Sequence, residues 1–366
     1  MSPSSIRDLI ERTRAGESLP GAVWVTIEDG HTAVDSLGYE RDAIFRIASL
    51  TKPLTAMLAL CLAHRGILSL DDRADRWLPE LGGRPVLRTL GSELDDTVPA
   101  RGRLTVHDLL VMGLGFGWHP AFDGSQPMQR AITDAGLGPG AFAPQMSPEA
   151  WLGEVGALPM IHQPGEGWLY DSSYTALGLL LERAGGADLD TLLAEHVTGP
   201  LGMEETAGVL SAEDLPRLPA LLGGDPPRIE RAAGDPAAAL VPPLRGGATG
   251  LFSTAADLCR LALALLGEPC ALPAGLVDTM RHDHRGAGQR AMSELFLEPG
   301  TGWGYGVAVD VRPRYGSPDR FGWSGGTGTT LFVDPRRRTG GILLTQVGFD
   351  AAFMSPLLKD FWRLTA

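Results

Sequence analysis

Apolar residues recur at helical spacing in SIRDLIERTRAG, which stops at a glycine, so the chain is predicted to open with a helix. AVWVTIEDG and HTAVDSLGY follow as β-rich runs broken at Asp29-Gly30, the pattern of a hairpin. The far end mirrors this arrangement. GYGVAVDVR, TTLFVDP and GGILLTQVG read as three short strands with Gly, Pro or Arg turns between them, and FMSPLLKDFWRL as a closing helix. From about Thr55 to Leu272 the strongest periodicity is helical, in LTAMLALCLAHRG, TVHDLLVMG, SYTALGLLLERAG, LDTLLAEHV and STAADLCRLALALLG. LLGGDPPRIERAAGDPAAALVPPLRGG interrupts this region and reads as long surface loop.

Strands split between the two ends of a chain bury their apolar faces only by pairing across the molecule, because a lone hairpin is marginal in water. The pattern therefore predicts an α/β protein of the α+β type: one sheet built from both termini, flanked by helices, with a large helical insertion. Residues 1–60 and 300–366 are expected to form the sheet region and 61–299 the insertion. The two parts are expected to make one compact unit with the functional cleft at their interface.

Composition acts mainly by exclusion. The chain has 366 residues, 44% of them hydrophobic, enough for a large core, and its formal net charge of -13 repels phosphate backbones and anionic lipid. A small molecule is thus expected as partner, with neither nucleic acid nor membrane. No apolar run reaches the roughly 18 residues of a membrane span. MSPSSIRDLIERTRAGE carries acidic residues where a secretory signal needs an unbroken apolar stretch, so a cytoplasmic location is expected. Cys61, Cys259 and Cys270 are odd in number and include no Cys-x-x-Cys pair, which argues against a disulfide framework or structural zinc. Cys61 and Cys259 lie in apolar helical runs and read as buried thiols. No cofactor is expected.

The candidate chemistry begins at IFRIASLTKPLTAMLALCLAHRG, where a short β-rich run passes into a nearly all-apolar helix with Ser49 at the junction. Residues three apart share a helix face, so Lys52 can reach the Ser49 hydroxyl. A serine is a weak nucleophile until a neighbour takes its proton, and a lysine does so only when its pKa is lowered. The apolar helix is expected to supply that desolvation, and the helix N-terminus a partial positive charge that favours neutral lysine and a developing oxyanion. With two lysines in the chain, a serine three positions ahead of one arises by chance in roughly one chain in ten, so the pair alone decides little. Yet 29 of the 31 basic residues are arginine, which cannot act as a base, and lysine is kept at position 52.

Two further segments add to the pair. GEGWLYDSSYTALGLLLE places Tyr170 between a Gly-rich turn and a helix, where a phenol beside an ammonium can shuttle protons. FGWSGGTGTTLFVDP joins a glycine-rich run to a strand whose amide can serve an oxyanion. On these residues the chain resembles the serine β-lactamase and penicillin-binding protein superfamily, most closely the class C β-lactamase-like serine hydrolases and family VIII esterases. Ser49-Leu50-Thr51-Lys52 stands as S-x-x-K, Tyr170-Asp171-Ser172 in the place of Y-x-N, and Trp323-Ser324-Gly325 in the place of K-T-G or H-x-G. LSLDDRADRWLPEL, LTVHDLLVMG, GPLGMEET and GATGLFSTAADL extend the likeness over most of the chain. The resemblance implies a β-lactamase/DD-peptidase-like fold with an antiparallel sheet and the serine between sheet and helices. It also implies roles: Ser49 as nucleophile of an acyl-enzyme, Lys52 and Tyr170 as the base system, the amides of Ser49 and Gly326 as oxyanion hole, and Ser172, Trp323, Ser324 and Gly325 at the substrate.

Two departures from the pattern direct the substrate. Ser172 replaces the asparagine amide that would hold lysine and substrate. Trp323 replaces a cationic or imidazole group, and an indole cannot pair with a substrate carboxylate. Both favour small neutral carboxylic esters over β-lactams. Acyl transfer through the same acyl-enzyme is the first alternative; β-lactam or D-Ala-D-Ala chemistry and a silent binding relative follow. Gly322-Trp323-Ser324-Gly325-Gly326 is also a literal G-x-S-x-G, but a strand-like run follows it and the last histidine is His284, so an α/β-hydrolase elbow fails. His282-Asp283-His284 reads as a polar loop, not a metal site. Trp118, Trp151, Trp168 and Trp303 are core aromatics with a possible second use as pocket walls.

Overall fold

The computed structural model describes residues 5–16, 19–119, 123–138, 140, 142–224, 227–294, 296–348 and 356–366. Helix α1 (Ile6–Ala15) starts where the Ser5 hydroxyl accepts the Asp8 N–H, and it buries Leu9 and Ile10. Strands β1 (Ala22–Glu28) and β2 (His31–Leu37) form the expected hairpin. Its turn residues Asp29 and Gly30 both have positive φ, 49° and 79°, as a two-residue turn that follows the strand twist requires.

The remaining strands that matter here are β3 (Ile44–Arg46), β4 (Phe252–Thr254), β5 (Thr301–Trp303), β6 (Ala308–Asp310), β7 (Phe321–Gly325), β8 (Thr329–Asp334) and β9 (Thr339–Leu344). Among the described residues the main sheet has seven strands in the order β2-β1-β9-β8-β7-β6-β5, all neighbours antiparallel. Val23 to Glu28 pair with Leu344 back to Thr339, so the N-terminal hairpin is joined edge to edge with the last strand. The sheet is thus built from both ends of the chain, as the hydrophobic pattern required.

Two strands differ from expectation. FGWSG was read as part of a glycine-rich run ahead of a strand, yet Phe321–Gly325 is itself a paired strand whose Trp323 lies opposite Leu331. Thr301–Trp303 is too short to leave an alternating signature. The stretch expected to be surface loop also contains a small hairpin, Leu221–Gly223 with Arg228–Arg231, fastened to the sheet end by Leu222 N–H to the Gln346 carbonyl (2.8 Å).

On one face, α1 packs with the closing helix α5 (Pro356–Leu364), whose Trp362 meets Phe332 edge-on at 5.0 Å. Helix α4 (Ala255–Leu265) packs on β1, β8 and β9, and α2 (Thr51–His64) is buried from Thr51 to Leu62. Helix α2 runs through residue 60, where the sheet region was expected to end. The β3–β4 ladder pairs the segment just before α2 with the one just before α4. Cys61 and Cys259 are buried free thiols, and Cys270 is exposed. Among the described residues no helix is long and apolar enough to cross a membrane.

Candidate active site

Arg46 ends β3, and the chain then turns sharply: Ala48 has φ +43°, a left-handed conformation that costs a non-glycine residue of order 1 kcal/mol or more. A single 3-10 turn, Ala48–Leu50, follows and leads directly into α2. The turn is fixed from the sheet side. Thr329 Oγ1 donates to the Ile47 carbonyl (3.2 Å), Thr327 Oγ1 to the Arg46 carbonyl (2.5 Å), and Gln346 Nε2 to the same Arg46 carbonyl (3.1 Å). Gly325 lies so close that a Cβ there would strike the Ile47 carbonyl oxygen. The β7–β8 hairpin, with Gly326 in its turn, is therefore seated against the segment that presents Ser49.

Ser49 is half-buried and Lys52, one turn along α2, is fully buried. Lys52 Nζ donates to Ser49 Oγ (2.9 Å), to Asp171 Oδ1 (2.8 Å) and to the Ala248 carbonyl (2.9 Å). The ammonium also lies 4.6 Å from the Tyr170 ring centroid. Burial by itself would pull the lysine pKa down, but the Asp171 carboxylate, and after it the Tyr170 phenol, outweigh burial and hold it above its ordinary value. The expectation of a lysine made neutral by its apolar helix is therefore corrected. The helix does desolvate it, but the carboxylate partner keeps it an ammonium.

Asp171 is the residue that the sequence pattern missed. It precedes helix α3 (Ser172–Gly185) with φ +87° and ψ -68°, a strained geometry for a non-glycine residue, and this geometry turns its carboxylate onto Lys52. Ser172, expected to stand in for the amide, is the buried first residue of α3, and the lysine's partner is its neighbour. Ala248 lies in GATGLFSTAADL, where no side-chain signature announces a backbone acceptor.

Tyr170 is held in an aromatic setting. Phe296 stacks on it at 4.5 Å and Trp168 at 5.9 Å, Trp303 meets it edge-on at 6.5 Å, and Trp323 tilts against it at 5.7 Å. Trp118 N–H donates to the Tyr170 carbonyl (3.1 Å), and its ring meets Phe296 at 5.2 Å. Of the four tryptophans considered as walls, Trp168 and Trp303 meet this phenol ring directly, and Trp118 reaches it through Phe296. Trp151 is buried on the helix Pro148–Ala157. The Trp323 Nε1–H donates to Tyr170 Oη (2.8 Å), so the indole that replaces a cation is a neutral hydrogen-bond donor to the phenol.

Strand alternation sends Ser324 to the opposite face from Trp323. There its hydroxyl donates to Thr330 Oγ1 (2.8 Å), which also accepts the Trp362 Nε1–H (3.1 Å). A strand, a tight turn and a second strand surround Ser324, so the strand-to-helix elbow is absent at this serine. At His282-Asp283-His284, the histidines face the carbonyls of Asp278 and Thr279, and Asp283 pairs with Arg285 (2.8 Å). Among the described residues no group of three or more His, Cys, Asp or Glu can hold a metal ion.

The family model described as Beta-lactamase matches residues 6–356. The chain is 33% identical over 326 residues to Protein Rv1367c of Mycobacterium tuberculosis, a match that covers 84% of this chain and 79% of that one. It is 30% identical over 332 residues to Esterase EstB of Burkholderia gladioli, with the same coverage of 84% and 79%. Among solved structures, EstCE1, titled a hydrolase with promiscuous acyltransferase activity, superposes with a TM-score of 0.78 at 21% identity, over 98% of this chain and 97% of that one.

Proposed function

The chain belongs to the Beta-lactamase family, whose fold carries serine hydrolases and acyltransferases, and we propose that it hydrolyses small neutral carboxylic esters through an acyl-enzyme on Ser49. One observation carries the proposal: the Ser49 hydroxyl lies 2.9 Å from a fully buried lysine that is coupled to Tyr170. Serine attack needs its proton removed as the C–O bond forms, and we assign that task to the Lys52–Tyr170 couple, whose Nζ lies 2.9 Å from Ser49 Oγ. The Ser49 Oγ adds to the ester carbonyl, and the backbone N–H groups of Ser49 and Gly326 receive the oxyanion. Collapse of that intermediate expels the alcohol with the proton; water then attacks the acyl carbon by the reverse proton route and frees the acid.

Neutral substrates are supported by the charges present. Lys52 is already paired with Asp171, and Trp323 offers a neutral N–H already donated to Tyr170, so neither is free to bind a substrate carboxylate. Esterase EstB is a relative named for esterase activity. Acyl transfer is the second reading, favoured by the aromatic wall of Phe296, Trp168 and Trp303 around Tyr170, which excludes water and suits an apolar acceptor. The test is hydrolysis of p-nitrophenyl esters of graded chain length beside nitrocefin, with an added alcohol as acceptor. Ester turnover that disappears in Ser49→Ala supports the reading; turnover unchanged in that variant, or nitrocefin preferred over every ester, overturns it.

A further inference from the structure

The proposed chemistry accounts for one flank of Ser49 and leaves another without a task. Tyr170, with Phe296 stacked on it, lines the flank where the departing alcohol takes up the proton held by the Lys52–Tyr170 couple. The carbonyl oxygen is directed to the amides of Ser49 and Gly326. On the remaining flank, three segments distant in sequence come together: the glycine-rich 246–250 stretch, the small hairpin of Leu221–Gly223 with Arg228–Arg231, and Phe142 with Ala143.

These segments are tied to the groups around Ser49. The Ala248 carbonyl accepts from Lys52 Nζ (2.9 Å). The hairpin runs beside the oxyanion turn: the Gly348 N–H donates to the Leu222 carbonyl (2.7 Å), and a Cβ at Gly348 would lie 3.4 Å from the Gly326 carbonyl oxygen. A register shift in the hairpin sets Arg231 opposite Leu221, and directly opposed residues share a face, so Arg231 lies on the side of the buried Leu221. There its guanidinium covers the Phe142 ring at 4.6 Å. Its Nε also lies 3.8 Å from Asp235 Oδ2, the oxygen that accepts from Arg46 Nη2 (3.3 Å) just ahead of the Ser49 turn. Phe142 is followed by the buried Ala143, whose Cβ would lie 3.8 Å from a Cβ at Gly246 and 4.0 Å from one at Gly250. The arginine–phenylalanine pair thus closes a ring of contacts: hairpin to Phe142, Ala143 to the 246–250 stretch, and that stretch back to Lys52.

We propose that Arg231 and Phe142 form a clasp that bounds the acyl side of the site and makes esters of short-chain acids its preferred substrates. A ring left 37% exposed on a loop is not held by burial; the guanidinium over its face, itself anchored by Asp235, holds it in place. Gly246 and Gly250 leave the space that a short alkyl chain occupies, and the clasp ends that space. The charge of Arg231 is spent on the ring and on Asp235, so the wall suits an uncharged chain. The inference rests on the ester hydrolysis proposed for Ser49 and names the acyl group of its substrate.

The test compares kcat/KM of the unaltered enzyme, Phe142→Ala and Phe142→Tyr on p-nitrophenyl acetate, butyrate, octanoate and laurate. Each further methylene taken from water is worth roughly fourfold in binding, so admitting about two or three more raises the octanoate-to-acetate ratio roughly 10- to 100-fold in Phe142→Ala. Phe142→Tyr keeps the ring and is expected to keep the parent's ratio. A merely structural phenylalanine lowers all four esters together, and an unmoved ratio in Phe142→Ala overturns the proposal. A falling ratio overturns it as well, because the ring would then bind long chains instead of excluding them. Arg231→Ala, at a half-exposed position, removes the other half of the clasp and is expected to raise the same ratio; it decides the matter if Phe142→Ala does not fold. A second series, acetate esters of short and long alcohols, fixes the side. A ratio that moves there and not in the acyl series puts the clasp on the alcohol and overturns the acyl assignment. Absence of any Ser49-dependent turnover fails the ester-hydrolase reading and the clasp with it, whereas Ser49-dependent turnover with an unmoved acyl ratio fails the clasp alone.

Discussion

Trp323→Phe tests the least expected contact of the site. The change removes one N–H donor, 2.8 Å from Tyr170 Oη, and leaves an aromatic ring to pack against Tyr170 (5.7 Å) and Trp303 (4.8 Å). A hydrogen bond to a charged group contributes about 1.5–3 kcal/mol, against about 1 kcal/mol for a neutral pair. If the phenol oxygen is negative when Ser49 is activated, losing the donor lowers kcat/KM by roughly 10- to 150-fold. If it stays neutral, the loss is nearer fivefold. Trimming a buried indole to a phenyl costs stability of about 1–2 kcal/mol, which denaturant unfolding separates from the catalytic loss. The assay is steady-state hydrolysis of a p-nitrophenyl ester from acid to alkaline pH. A folded variant with kcat/KM within twofold of the parent refutes a role for the indole N–H.

Other expectations follow from neighbouring contacts. Gly325→Ala places a Cβ against the Ile47 carbonyl, so the hairpin must move from the Ser49 turn; a loss of about 1–3 kcal/mol in unfolding free energy is expected together with loss of turnover. Unchanged activity in that variant contradicts the hairpin's part in holding the site. His162 has its pKa pushed down to about 4 by burial, with His119 adding to the effect against the Gln163 carbonyl and Glu166. Its folded pKa lies below the unfolded one, so the stability linked to it is complete above about pH 6.5 and is lost as pH falls toward 4, at most about 3 kcal/mol. His162→Gln should therefore lose less stability than the parent between pH 7 and pH 4, and parallel losses in denaturant unfolding count against this linkage.

Much of this architecture was legible from residue pattern, and the exceptions have physical causes. The β-rich runs AVWVTIE and TTLFVD are β1 and β8, buried almost throughout, because inner strands covered on both faces fill with apolar residues instead of alternating. Phe321–Gly325 escaped because its glycines mask the strand pattern, while in the fold Gly325 allows the hairpin to seat against Ile47. The three-residue spacing of Ser49 and Lys52 translated directly into a 2.9 Å contact, since helix geometry alone determines it. Asp171 was hidden for the opposite reason. Its side-chain direction depends on a positive φ that a helical or extended pattern does not encode, and its partner is 119 residues distant. The lysine's charge state was misjudged with it, because the apolar surroundings of α2 are visible in sequence and the opposing carboxylate is not. Phe296, which stacks on Tyr170, comes from a segment without regular periodicity.

The central claim is that Ser49 is the residue that becomes acylated. Treatment of the folded protein with a fluorophosphonate, followed by digestion and mass spectrometry, reads this directly. One adduct is predicted on the peptide that contains Ser49, with Ser324 unmodified and labelling abolished by Ser49→Ala. An unlabelled Ser49 in folded, ester-hydrolysing protein, or an adduct on Ser324, would contradict the account.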